Sequence, residues 1–238
     1  NPHAQLLGVR GRATEEGTRQ EAAAEYGSYN TRQLSYGMAV KKGVNDFAFT
    51  LSHMASDGFS AADESLGFTE ADGFKATRLS FAAGTELANG VKLGVNGFYE
   101  DSWLEYDEAV AGIPLDGSPD EQENRYQTGL RLTAGFTTGA VDHELEAAYF
   151  DSDRYLSGSN GFGPFAFNFR GTRETLGYRG VTGLGANGKL TFGAEHVRER
   201  YADATGPSFA DPSWGSQRLS STIDSVFGEY SLAATGDL

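Results

Sequence analysis

Apolar and polar side chains alternate along most of this chain in segments of about ten residues, joined in turn by very short connections and by long polar ones. A β-strand sends successive side chains to opposite faces, so a period of two repeated many times describes one continuous antiparallel sheet with two chemically different faces. In Asp46 to Ser56, Phe47, Phe49, Leu51, His53 and Ala55 fall on one face, and Ala48, Thr50, Ser52, Met54 and Ser56 on the other. Val91, Leu93, Val95 and Tyr99 likewise alternate with Lys92, Asn96 and Glu100, and Leu130, Leu132, Ala134 and Phe136 with Arg131 and Thr133. One face suits lipid and the other suits water. Repeated in this way, the pattern is that of the wall of an outer-membrane β-barrel.

The alternation predicts an all-β antiparallel meander of about ten strands: Arg19 to Gly27, Arg32 to Lys41, Asp46 to Ser56, Phe74 to Ala88, Val91 to Tyr106, Asn124 to Thr138, Val141 to Leu156, Thr172 to Gly185, Lys189 to Ala202 and Leu219 to Ala234. Short connections fall at Gly43-Val44-Asn45, Asn89-Gly90, Gly139-Ala140 and Asn187-Gly188. The two Asn-Gly pairs predict type I′ hairpins, whose central residues both need positive φ. Long polar loops are expected at Asp57 to Gly73, Asp107 to Glu123, Ser157 to Gly171 and Thr205 to Arg218. Tight turns on one rim and long loops on the other is the asymmetry of an outer-membrane barrel and not of a soluble sandwich. Helix competes at Glu21 to Glu25, Ala76 to Leu87 and Val141 to Tyr149 through Ala content or spacing, but the hairpin rhythm requires a strand at each.

Composition agrees with a wall that is apolar on one side only. The apolar fraction is 39%, low for a soluble chain of 238 residues, while aromatics reach 12% and there are 32 glycines. No run of about 18 apolar residues offers a transmembrane helix, which says nothing against spanning strands. The absence of cysteine removes disulfides and thiolate metal sites. A net charge of −14 argues against nucleic acid as a partner. Asn1-Pro2-His3 starts without a basic-then-apolar leader, and Ala234 to Leu238 reads as the opening of a turn. The expectation is a piece of a longer protein, with residues 1–18 a connecting segment and 19–238 a partial barrel.

Two stretches, Ala24-Glu25-Tyr26-Gly27-Ser28-Tyr29-Asn30-Thr31-Arg32 and Ser56-Asp57-Gly58-Phe59-Ser60-Ala61-Ala62-Asp63, resemble the opening barrel strands of TonB-dependent outer-membrane receptors, cobalamin and siderophore receptors above all. Asp224 to Tyr230 is similar to another recurring strand of that family. The resemblance implies part of a barrel of about 22 strands, closed in the family by an N-terminal plug that this chain lacks, together with the energy-coupling box. It also implies residence in outer-membrane lipid, a small nutrient ligand and energy relayed by the TonB complex.

Candidate chemistry is sparse. Glu25, Lys92, Glu100, Arg131 and Arg179, with Glu21, Glu144, Glu146 and Glu195, fall on the polar face. They either contact a plug or form a solvated lining, since a buried charge needs a partner. Phe162, Phe165, Phe167 and Arg170 sit in the Gly-rich stretch Gly158 to Arg170, as a lip for ligand or as loop packing. Asp116, Asp120, Glu121 and Glu123 crowd one predicted loop and offer oxygens for calcium, but their spacing matches no defined calcium loop. The four histidines are scattered, and no acid, base and nucleophile converge, so no enzyme is read here. The expected function is active nutrient uptake; a passive porin-like channel is the alternative, and a membrane-embedded or soluble β-rich hydrolase would need a cluster the spacing does not provide.

Overall fold

The computed structural model describes residues 15–60, 70–106, 108–110, 113–115, 121–160, 163–185, 187–205 and 215–232. Its strands are β1 (Gly17–Tyr26), β2 (Arg32–Lys42), β3 (Asn45–Phe59), β4 (Asp72–Glu86), β5 (Lys92–Tyr106), β6 (Glu108–Val110), β7 (Ile113–Leu115), β8 (Glu121–Thr138), β9 (Val141–Asn160), β10 (Gly163–Leu184), β11 (Gly188–Thr205) and β12 (Gly215–Leu232). Ten of them form one sheet in the order β1-β2-β3-β4-β5-β8-β9-β10-β11-β12, and β6 pairs only with β7. Every pairing is antiparallel, and each joins chain neighbours except β5 with β8, between which the β6–β7 hairpin is inserted. The three stretches with helical character lie in β1, β4 and β9, so sheet pairing overrides local propensity.

Register separates the two faces across the whole sheet. Val40 opposes Phe47, Phe47 opposes Ala83, Ala83 opposes Val95, Val95 opposes Leu132, and Leu132 opposes Ala147. The intervening positions carry Lys92, Asn96, Arg131 and Thr133 on the other face. The side chains buried on the polar face are Ala48, Ser80, Ala82 and Val197 along the wall, with Glu121 and Glu123 at the start of β8. On the apolar face Leu51, Leu79, Tyr99, Leu130, Leu132 and Leu145 remain exposed. A second protein layer would cover such side chains in water, whereas hydrocarbon solvates them. Phe47, Phe136, Phe192 and Tyr230 lie toward the tight-turn rim of this face, and Tyr99, Tyr126 and Tyr149 toward the other, which gives the two aromatic belts of a membrane wall.

The turn chemistry differs from the sequence expectation. Asn89 does not adopt positive φ; Gly90 does, at 80°, and its N–H donates to the Leu87 carbonyl at 2.8 Å. This is a three-residue hairpin loop with glycine in the left-handed position. Gly188, of the second Asn-Gly pair, lies inside β11 and has no positive φ. The type I′ turn is at Ser28–Thr31 instead, with Tyr29 at 55° and Asn30 at 53°. There the Thr31 N–H donates to the Ser28 carbonyl at 3.1 Å.

That turn explains why two separated motifs occur together. The Asp57 N–H donates to the Tyr29 carbonyl at 2.9 Å, Asn30 donates to the Asp57 carboxylate at 3.1 Å, and the Thr31 and Ser56 hydroxyls are 2.9 Å apart. The Tyr29 and Phe59 rings complete the knot with centroids at 5.4 Å. The knot depends on a bulge between Ser56 and Phe59, where Gly58 has φ +74° and a Cβ would lie 1.7 Å from the Asp72 carbonyl oxygen. Gly58→Ala is expected to destabilise the sheet by at least about 1–2 kcal/mol, the usual cost of left-handed backbone for an L residue. Urea unfolding of the protein in lipid vesicles measures it.

Candidate functional site: the inner wall and its upper rim

The polar face is a lattice of cross-strand ion pairs. Arg179 bonds Glu144 at 2.7 Å, Arg131 bonds Glu146 at 2.6 Å, Arg78 bonds Glu100 at 3.1 Å, and Arg173 bonds Glu199 at 3.3 Å. Each pair ties neighbouring strands, because opposed residues project to the same side of the sheet. Arg78 also lies 4.6 Å from the Phe98 ring centroid, adding a cation–π contact. Glu25, Lys92, Glu100, Arg131 and Arg179 all occupy this face by register.

A membrane-spanning strand needs about 9–11 residues, yet β9 has 20 and β10 has 22. Their apolar-face pattern ends near Tyr149 and Leu176, so the remainder projects beyond the membrane on the long-loop side. The segment Gly163–Arg170 is therefore strand, not the loop expected from its glycines. Phe165, Phe167 and Phe169 alternate with Ala166 and Asn168, which puts all three rings on the polar face. Phe165 and Phe167 have centroids 5.5 Å apart, and Phe167 and Phe169 stack at 6.2 Å with a 15° interplanar angle. The Phe165 ring reaches over Gly158, where a Cβ would meet it at 3.0 Å.

Beside this aromatic strip lies a charge cluster that the sequence reading did not assemble. Glu123 is only 5% exposed, and it accepts from Arg154 at 2.5 Å while Arg125 approaches at 3.4 Å. Arg154 opposes Phe169 and Arg125, and Leu156 opposes Phe167 and Glu123. The hydrogen bond that Arg154 donates to Glu123 raises the Arg154 pKa above its usual value, so this guanidinium, beyond the membrane-spanning part of β9, holds its charge. Sequence could not pair residues 31 apart, although both belong to runs of alternating polar positions.

The remaining candidates do not converge on this strip. Arg170 lies on the opposite face, bonded to Asp151 at 2.7 Å. Phe162, Asp116 and Asp120 lie outside the described residues. Glu121 is buried at the start of β8 on the polar face, and no three histidines or carboxylates among the described residues meet at one point. His53, His143 and His196 all occupy the apolar face, bonded respectively to Thr77, to Tyr178 and to Asp224. An apolar depression of about 860 Å³ lies among Leu93, Val95, Leu132, Leu145 and Leu176. On a lipid-facing surface acyl chains fill such a groove, so it offers no seat for a polar nutrient.

A single-layer meander with an exposed apolar face, an ion-paired polar face and rims of unequal length is the wall of an outer-membrane β-barrel. A solved structure has the same fold. The ferric yersiniabactin uptake receptor FyuA from Yersinia pestis matches with a TM-score of 0.56 and 10% identity, over 90% of this chain and 38% of its own. The siderophore receptor PiuA from Acinetobacter baumannii matches with 0.45 and 11%, over 90% and 41%. The chain thus shares the barrel-wall fold of the first of these and spans less than half the length of either. No protein-family model and no curated protein matches it by sequence.

Proposed function

We propose that this chain forms part of the barrel of a TonB-dependent outer-membrane receptor that takes up a scarce nutrient, such as a siderophore-iron complex or cobalamin. The observation that carries the reading is the inner wall itself: ion pairs run along its membrane-spanning part and lead to the Phe165–Phe169 strip and the Glu123 cluster at the long-loop rim. Rings and fixed charges side by side suit a bulky ligand with aromatic and ionic groups. The ion-paired face suits a hydrated surface against a plug, with residues 1–18 joining plug to barrel and 19–238 forming the wall. No bond of the ligand is broken.

The test uses the full-length protein in outer membranes free of other receptors. Saturable uptake of a labelled ferric siderophore or of cobalamin, abolished when the proton gradient is collapsed, is the expected result. Uptake indifferent to the gradient, with steady conductance in planar bilayers, would make it a passive channel. Replacing Phe165, Phe167 and Phe169 by serine is expected to weaken ligand binding at least about tenfold, because each aromatic contact contributes about 0.5–1.5 kcal/mol. A binding titration on cells with normal amounts of assembled barrel reads this out.

A further inference from the structure

The apolar face changes character along its upper edge. On β10, β11 and β12 the lipid-facing positions run Tyr178 and Leu176, then Phe192 and Ala194, then Tyr230 and Val226. Beyond them the same face carries Arg198, Arg200 and Arg218, with Ser220 and Thr222 opposite the first two. Seven described arginines lie on the polar face, at 19, 78, 125, 131, 154, 173 and 179, and each pairs with a glutamate. The group on the apolar face is different: Arg200 bonds Glu174 at 3.0 Å, but Arg198 and Arg218 have no hydrogen-bond or ion-pair partner among the described residues. Nearby acids are already engaged, Asp224 by His196 at 2.6 Å and Asp151 by Arg170.

We propose that Arg198, Arg200 and Arg218 form a docking site for the phosphate groups of anionic lipid in the outer leaflet. Their placement gives the occupant. They stand where lipid-facing wall passes from hydrocarbon to headgroup level, on the long-loop side that faces outward in such barrels. Positions two apart on a strand are separated by roughly 7 Å and adjacent strands by about 4.8 Å, so these long side chains reach one headgroup region. Guanidinium groups bind phosphate oxygens through paired N–H donors, and the adjacent hydroxyls of Ser220 and Thr222 add further donors. The site needs the wall to stand in lipid but does not depend on nutrient uptake.

Native mass spectrometry of the full-length protein in detergent, titrated with phosphatidic acid or with phosphatidylcholine, tests the proposal. Wild type is expected to retain phosphatidic acid preferentially. R198A/R218A should weaken that binding by about fivefold for each arginine removed, whereas K189A, which removes a cation from the other face and the other rim, should not. R198Q/R218Q keeps polar side chains on the strands and gives the same reading if the alanine pair fails to assemble. Phosphatidic acid binding that is unchanged in the substituted protein overturns the site. Displacement of the lipid by millimolar inorganic phosphate overturns the lipid as its occupant.

Discussion

Leu132→Arg and Leu145→Arg each destabilise the protein folded in lipid by about 2–4 kcal/mol, the cost of a lipid-facing arginine near the bilayer midplane. Both leucines belong to the exposed apolar face, at 48% and 44% of their full accessibility, and both sit several residues along their strands from the tight turn at Gly139. Leu93 points to the same side but lies one residue into β5, beside the tight-turn rim. Its arginine variant costs only about 0–1 kcal/mol, because the side chain reaches the interface. Equilibrium unfolding of the three variants in vesicles gives the order. Equal effects at all three positions would remove the assignment of this face to lipid. Thr133→Arg, between these positions but on the ion-paired face, supplies the contrast.

The second large effect falls on the upper wall. Removing both Arg125 and Arg154 leaves the Glu123 carboxylate almost fully buried with neither of its cations. Taking the partner from a buried ion costs about 3–5 kcal/mol, and this cost is local to the strand extensions of β8 and β9. The expected result is a loss of hydrogen-exchange protection around residues 121–125 and 154–158, with the membrane-spanning part of the same strands unchanged. Exchange of Glu123 for glutamine in the same background restores most of the protection, since the uncompensated charge is then gone. Persistent protection in the double variant would mean that Glu123 takes up a proton or finds another donor at little cost.

How much of this was legible in the sequence follows from the range of the physics involved. Face assignment is local: Leu93 and Lys92 are separated by the pleat alone, and alternation suffices to place them. The same rule applied to Phe165, Phe167 and Phe169 gives one face, yet Gly158, Gly161, Gly163 and Pro164 read as loop punctuation and hid three strand positions. Arg170 follows those rings directly in sequence, but its odd spacing from them sends it to the other side. The Asn-Gly signal located a hairpin but not its geometry, because the extra residue in the loop and the strand register decide which residue goes left-handed. The Glu123 cluster was invisible for another reason. It forms only once β8, β9 and their offset are fixed, and that offset is a property of the whole sheet.

Alternation alone leaves one kind of error unpunished. A strand displaced by a single residue turns its leucines to water, but one displaced by two keeps every side chain on its proper face. Phe98 closes that gap: its ring rests over Gly129, where a Cβ would come within 2.5 Å of it, and a shift of two would set it against Gln127 or Arg131 instead. The same shift between β4 and β5 would trade Glu100 for Phe98 or Ser102 opposite Arg78, and between β10 and β11 it would trade Glu199 for Val197 or Tyr201 opposite Arg173. Charges and glycines on the inner wall thus act as a proofreading code for strand order, rejecting misaligned hairpins that oiliness alone would accept.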